Sequence, residues 1–374
     1  MNNQRGFSLV ELIVAMTVTL IVSSAIYGLL TSGGNAFRRE PELADRQQNI
    51  RAAMDLIARD VFGAGAALST FSQVFTGADP AIGCPGGLNS CGQPGTMGPG
   101  AAAARGDDED TDVLEILSTD EQCPQLAVCN AAPIPGINPG VFVTQESLPQ
   151  CLPVPGLIAM VADTTFTIVA ATASGGAATC TVGGASPPNA NLTLSATLPP
   201  WVGAGFSAAN PNPGAANTVY MYRARIVRYR VSPSLDPTDP GPALWRTESG
   251  HYFPNGGVAP EPGTPLFAAA TSPWQMVARG IEDMQIEYLD GTGVWANSPP
   301  LSVPGSWDSI VRRVRISLSA RASAANLQGA TTVAGGPDAV RGQLATVITP
   351  RAAFQELQMC LTAAPACPAA SHIQ

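Results

Sequence analysis

The sequence predicts an α+β fold. A long N-terminal helix, half membrane-type and half amphipathic, packs on an antiparallel β-sheet globular domain with long disulfide-bearing loops. Three observations predict it: an apolar run over residues 7–30, a helical apolar period over residues 42–62, and alternating runs from residue 112 onward. Gly/Pro-rich connections separate those runs, so the strands meet as a sheet that needs one apolar cover, and the helix supplies it.

Composition narrows the class. A chain of 374 residues suggests one large or two modest domains and can bury a core. With 38 Gly and 34 Pro it favours strands and ordered loops over a helical bundle. Net charge is −9 and every basic residue is Arg. That acidic balance argues against nucleic acid as a partner, because phosphate binding needs a basic patch.

Residues 7–30 read FSLVELIVAMTVTLIVSSAIYGLL, with Glu11 the one charge. A helix of that length spans a hydrocarbon core of about 30 Å. A secretory signal peptide has a shorter apolar stretch, no acid inside it and a small-residue cleavage site after it. An ordinary anchor has no reason to carry a carboxylate near its start, since charge in lipid is costly.

Both oddities fit RGFSLVEL at residues 5–12, which resembles the type IV prepilin motif. The resemblance implies a hydrophilic leader, residues 1–6, cut by a membrane-embedded prepilin peptidase between Gly6 and Phe7. Phe7 is then the N-methylated end and Glu11 the fifth residue of the mature chain, the assembly charge. Gly6 keeps the scissile bond accessible in an extended conformation. Glu11 is expected to pair with the α-amine of a neighbouring subunit, since neither charge is tolerated alone among apolar helices. Positive residues lie on both sides of the apolar run (Arg5; Arg38, Arg39), so charge alone leaves orientation open. The resemblance implies a cytoplasmic N-terminus and a periplasmic remainder.

The next helix, ELADRQQNIRAAMDLIARDVF, places Leu43, Ile50, Met54, Ile57 and Val61 on one stripe. Arg46, Arg51, Arg59 and Asp60 are expected mostly off it, Asp55 and Arg59 form an i,i+4 pair, and Gly63 and Gly65 end it. Gly28, Gly33, Gly34 and Pro41 separate this helix from the apolar one and suggest a bend or unwound section between them. Residues 46–66, an alanine-rich Arg/Asp helix running into an AG turn, resemble the same segment of PilW-like minor pilins.

Strands are expected at Asp112–Ser118, Gly156–Thr172, Asn191–Thr197, Thr218–Val231, Ile281–Leu289 and Ile310–Arg321. The last puts Val314, Ile316, Leu318 and Ala320 on one face and Arg313, Arg315 and Arg321 on the other. The run RGIEDMQIEYLDGTGVW (279–295) followed by WDSIVRRVRISLSAR resembles PilW-like minor pilins and pseudopilin J of type II secretion. The stretches 72–110, 124–156 and 232–275 read as long insertions, which favour the pilus type over a compact pseudopilin. Arg residues on the strands read as a soluble exposed face.

Eight cysteines, Cys84, Cys91, Cys123, Cys129, Cys151, Cys180, Cys360 and Cys367, follow the apolar segment. In an exported chain they read as disulfides. Cys84/Cys91, Cys123/Cys129 and Cys360/Cys367 would close short loops and leave Cys151/Cys180, one arrangement among roughly 100. Metal is not expected: there is no C-x-x-C, and His251 and His372 are the only histidines. The acidic run at 107–110 lacks calcium-loop spacing and reads as solvated loop. Nor is a cofactor or an enzyme expected, since there is no Lys for a P-loop, no G-x-S-x-G and no H-E-x-x-H.

The expected organisation is a leader (1–6), a transmembrane or filament-core helix (7–30), an amphipathic periplasmic half (31–66) and a β-rich periplasmic domain (67–374). The resemblance implies a minor pilin that takes part in priming a type IV pilus, first in the inner membrane and then on the cell surface. Its partners would be prepilin peptidase, other major and minor pilins, the inner-membrane assembly platform and the membrane. The alternatives are a J-like pseudopilin and a pilus-tip adhesin.

Overall fold

The computed structural model describes residues 8–65, 74–75, 82–83, 112, 114–120, 123, 126, 140–144, 151, 156–162, 165–175, 189–194, 220–233, 241–248, 274–297, 311–322 and 339–353. The fold is α+β, as the sequence predicts. It begins with one helix, α1, Leu9–Phe62. At 1.5 Å per residue its 54 residues extend about 80 Å. No unwound section separates the two helical stretches. Pro41 lies inside the helix, where it forfeits one backbone hydrogen bond without ending the run. A Cβ at Gly28, Gly33 or Gly34 would meet nothing within 4 Å, so no close contact there calls for a break. The helix ends where expected: Gly63 N–H donates to Arg59 O, and Gly65 follows at φ +72°.

Thirteen strands follow among the described residues. Those of the first sheet are β1 Ile82–Gly83, β2 Leu114–Thr119, β3 Gly140–Thr144, β4 Gly156–Ala162, β5 Thr165–Gly175, β6 Asn189–Leu194, β7 Tyr220–Pro233, β8 Pro242–Glu248 and β9 Gln275–Arg279. The second sheet holds β10 Ile281–Leu289, β11 Trp295–Ala296, β12 Arg313–Arg321 and β13 Arg341–Ile348.

The first sheet runs β3-β6-β5-β4-β7-β8-β9, with β1 on β5 and β2 on β7. The fourteen-residue β7 is its spine. β4 takes positions 220–223, β2 takes 224–229, and β8 pairs from 227 onward. All pairs are antiparallel except β1 with β5. The second sheet runs β11-β10-β12-β13, all antiparallel. Val314, Ile316, Leu318 and Ala320 of β12 are buried and alternate with more exposed residues, as the sequence pattern requires.

Strand β3 lies inside the expected insertion 124–156, and β8 inside 232–275, so neither insertion is loop throughout. Both strands escape a pattern reading because they are short and bounded by Gly or Pro. In β8 the proline opens the strand, where its missing N–H is tolerated. Strand β13 was also not anticipated. Its inward positions Gly342, Leu344, Thr346 and Ile348 mix small, polar and apolar residues and blur the alternation.

Helix and both sheets share one core. The stripe Ile50, Ala53, Met54, Ile57 and Val61 joins Leu114 and Ile116 of β2, Val227 of β7, Met284 and Ile286 of β10, and Ile316 and Leu318 of β12. Each fully buried aliphatic side chain contributes about 1.5–3 kcal/mol relative to exposure. The chain passes from the first sheet to the second through Gly280 alone. That residue sits at φ +74°, its N–H donates to Pro242 O (2.7 Å), and its carbonyl accepts from Arg321 N (2.8 Å). Here only glycine fits, because a Cβ would lie 2.6 Å from Arg321 O.

Candidate functional site

The N-terminal half of α1 is apolar on every side. Leu9–Thr31 has a mean hydropathy of 2.3 over its most apolar window, and none of that window is buried in the protein. Leu9, Leu20, Ile21, Tyr27 and Leu29 each leave more than two-thirds of their surface exposed. A helix apolar all round and unburied by its own fold requires a bilayer or other apolar helices around it. It fits a membrane anchor by length and composition.

Glu11 stands at the third position of this helix. Ser8 N–H donates to Glu11 Oε2 (3.0 Å), and Val10 N–H donates to Ser8 Oγ (3.2 Å). This is a capping box, which satisfies two donors left unpaired at a helix start and sets a carboxylate against the positive end of the helix dipole. The charge is thus accommodated locally in the chain as it stands. Gly6 and Phe7 lie outside the described residues.

At the other end of α1 the sequence pattern misplaced one residue. Asp60, expected mostly off the stripe, is buried. Tyr229 Oη donates to its Oδ2 (2.6 Å), as does Arg246 Nε (2.9 Å), and Arg225 Nη2 donates to Oδ1 (3.1 Å). Arg246 Nε also approaches Tyr229 Oη at 3.2 Å. Glu248 completes the group, 3.3 Å from Arg246 Nη2 and 3.5 Å from Arg225 Nε. Two partly buried guanidinium groups thus face the buried Asp60 and the half-exposed Glu248, so the charges of the cluster balance.

Strand register builds this cluster. Arg225 and Tyr229 lie four residues apart on one face of β7, and Arg246 is the β8 partner of Tyr229. An acid in the last turn of a helix opposes the helix dipole. Asp60 is stable there because two guanidinium groups of the first sheet meet it. The sequence held a signal for this: Asp60 is three residues after Ile57 and beside Val61, within the width of the apolar stripe.

Burial and the neighbouring Asp60 carboxylate push the Tyr229 hydroxyl above its ordinary pKa. Burial pulls the Arg246 pKa down, but hydrogen bonding and charge from Asp60 and Tyr229 outweigh it, and the net shift is upward. A raised folded-state pKa for Tyr229 means its contribution is complete below its unfolded value, about 10, and is lost as pH rises beyond it. The unfolding midpoint of the full chain in detergent should therefore fall between pH 9 and 11 (roughly the tyrosine range), and more gently in Tyr229→Phe. Parallel alkaline limbs for the two proteins would contradict this.

The cysteines require a correction. Cys123 and Cys151 form a disulfide with each other, 28 residues apart, in place of the expected Cys123/Cys129 and Cys151/Cys180. The sheet explains it. After β2 the chain returns along the start of β7, with Asp120 N–H donating to Arg223 O and Leu126 N–H to Met221 O. Cys151 leads into β4, which pairs with the same part of β7. Proximity comes from strand pairing, which spacing in sequence does not reveal. Cys84, Cys91, Cys129, Cys180, Cys360, Cys367 and the acidic run 107–110 lie outside the described residues. Among the described residues, no group of three or more His, Cys, Asp or Glu could hold a metal ion.

Compared with known families, residues 1–27 match the prokaryotic N-terminal methylation motif. A comparison with curated proteins finds no match. The motif covers residues 1–6 and most of the apolar stretch. It supports a type IV prepilin-like protein that is processed by prepilin peptidase and enters pilus-type assemblies.

Proposed function

We propose that this chain is a PilW-like minor pilin that takes part in priming a type IV pilus. The observation that carries the reading is the methylation motif at residues 1–27 on a helix that continues unbroken into a large β-rich head. A bulky head suits a subunit used sparingly, because it is hard to repeat at every position of a thin fibre. In this reading prepilin peptidase cuts between Gly6 and Phe7, and Phe7 is methylated. The N-terminus faces the cytoplasm and the head the periplasm, until the subunit leaves the inner membrane for the filament.

Glu11 then changes partner. In the precursor it caps its own helix; in the filament it meets the α-amine of a neighbour. The resemblance of residues 279–295 and 307–321 to PilW-like proteins supports the subfamily.

Two substitutions and a deletion test the reading. Replacing Gly6 with a bulky residue should leave an uncut precursor on an immunoblot; a mature-length band would refute the assigned cut. Glu11→Ala should leave the protein in the membrane but reduce its share in sheared filaments. Equal incorporation would remove the charge-pair role. Deleting the gene should abolish surface pili and leave protein secretion intact. Loss of secretion with normal pili would point instead to a pseudopilin, and normal pili with lost adhesion to a tip adhesin.

A further inference from the structure

The start of α1 bears on the cut itself. In a helix each N–H donates to the carbonyl four residues back. Were α1 longer at this end, Val10 N–H would donate to Gly6 C=O, the carbonyl of the bond proposed to be cut. Ser8 N–H would donate to Gln4 C=O and span that bond. Both donors are already taken. Val10 N–H donates to Ser8 Oγ (3.2 Å), and Ser8 N–H donates to Glu11 Oε2 (3.0 Å). The backbone ladder opens with Leu12 N–H on Ser8 O (3.2 Å), and Ser8 itself is extended, at φ −70° and ψ 143°.

The stop is needed. No proline stands among residues 1–7 to end a longer helix, and apolar surroundings favour backbone groups that bond within the chain. Gly6 weakens a helix without offering a competing acceptor. Hydrolysis, by contrast, needs the Gly6 carbonyl outside any ladder. Water adds at its carbon and the C–N bond to Phe7 breaks. Gly6 keeps the water oxygen as a carboxylate, and both water protons pass to Phe7, which leaves as an ammonium. The carbonyl oxygen gathers charge as water adds and must take hydrogen bonds from the enzyme.

We infer that Ser8 is a positioning residue for prepilin peptidase. Its hydroxyl takes Val10 N–H in place of Gly6 C=O, so the Gly6–Phe7 amide meets the enzyme in extended form. The role is set before the enzyme binds. It requires a side-chain oxygen at residue 8 and no particular side-chain shape. The inference rests on the cut proposed above, within the methylation motif.

The test is a pulse-chase of the full chain in its own membrane, with prepilin peptidase present and precursor and processed bands followed in time. Ser8→Thr keeps the oxygen. Ser8→Val has the shape of threonine without it, and Ser8→Ala removes both. Threonine should be processed within about twofold of the parent rate, since it also caps helices. Valine and alanine should each be about fivefold slower, the effect of about 1 kcal/mol of lost cap, with the same amount of protein in the membrane. Valine as fast as threonine would mean that the enzyme reads shape, and would overturn the proposal. So would threonine as slow as valine, or parental rates throughout. N-terminal sequencing of the processed parent separates the two claims. An end other than Phe7 removes the assigned cut and the role of Ser8 with it. An end at Phe7 with valine equal to threonine removes the role of Ser8 alone.

Discussion

Asp60→Ala should lower the thermal unfolding midpoint of the detergent-solubilised chain by roughly 5–8 °C, corresponding to about 3–5 kcal/mol. The magnitude follows from what is left behind. Among the described residues Arg225 and Arg246 keep Glu248 alone for two positive charges, and the buried Tyr229 hydroxyl loses its acceptor. Removing one member of a buried, hydrogen-bonded charge group costs far more than the group contributes over an apolar substitute. Asp60→Asn retains acceptor and shape while deleting the charge, so it should fall between Asp60→Ala and the parent. Tyr229→Phe, which removes one neutral hydroxyl, should cost about 1–2 kcal/mol. A midpoint for Asp60→Ala within a degree or so of the parent would mean that the cluster does not hold the helix to the sheet.

The second large effect is expected at the passage between sheets. Gly280→Ala forces an L side chain into the left-handed region, at about 1–2 kcal/mol. It also drives the new methyl against a backbone oxygen that belongs to paired β12 and cannot swing aside. The sum should be about 3 kcal/mol or more. Gly293 supplies the control: its φ is +89°, but a Cβ there would meet nothing within 4 Å. Gly293→Ala should show the conformational cost without the clash, and the difference between the two variants measures the close approach. Equal midpoints for the two would remove the steric part of the claim.

The legible parts of this fold are those where one periodicity dominates. Residues 283–288 and 313–321 alternate cleanly, and both lie in strands at nearly the expected positions. The stripe from Ile50 to Val61 is buried as its 3.6-residue period requires. What escaped falls into three physical kinds. Strand β8 is short and opens on a proline, and β13 mixes small, polar and apolar residues on its inward side, so pairing to stronger neighbours decides their state. The Cys123–Cys151 link depends on which strands lie side by side, which is tertiary information. Asp60 falls within the width of the apolar stripe, but an acid there reads as exposed until the arginines of β7 and β8 are placed opposite it. Glycine and proline signals misled in the other direction, because Gly33, Gly34 and Pro41 weaken a helix without supplying what would stop it. Among the candidate processing residues, Glu11 is placed as the capping partner of Ser8, an assignment its spacing alone permits.

The unbroken course of α1 has a mechanical meaning. The distance along the helix from Leu9 to Ile50, its first fully packed residue, is about 60 Å. Axial pull on the apolar end is therefore delivered to the head over the C-terminal part of the helix, from Arg46, whose guanidinium lies against Gly342 of β13, to Val61. Tension there is taken in shear by the Ile50–Val61 stripe and by the ionic grip of Arg225 and Arg246 on Asp60. Loading in shear engages those contacts together, whereas peeling would break them singly. The protein is built as a shaft fixed at its far end, and its resistance to pulling is set by side chains that lie deep in the head.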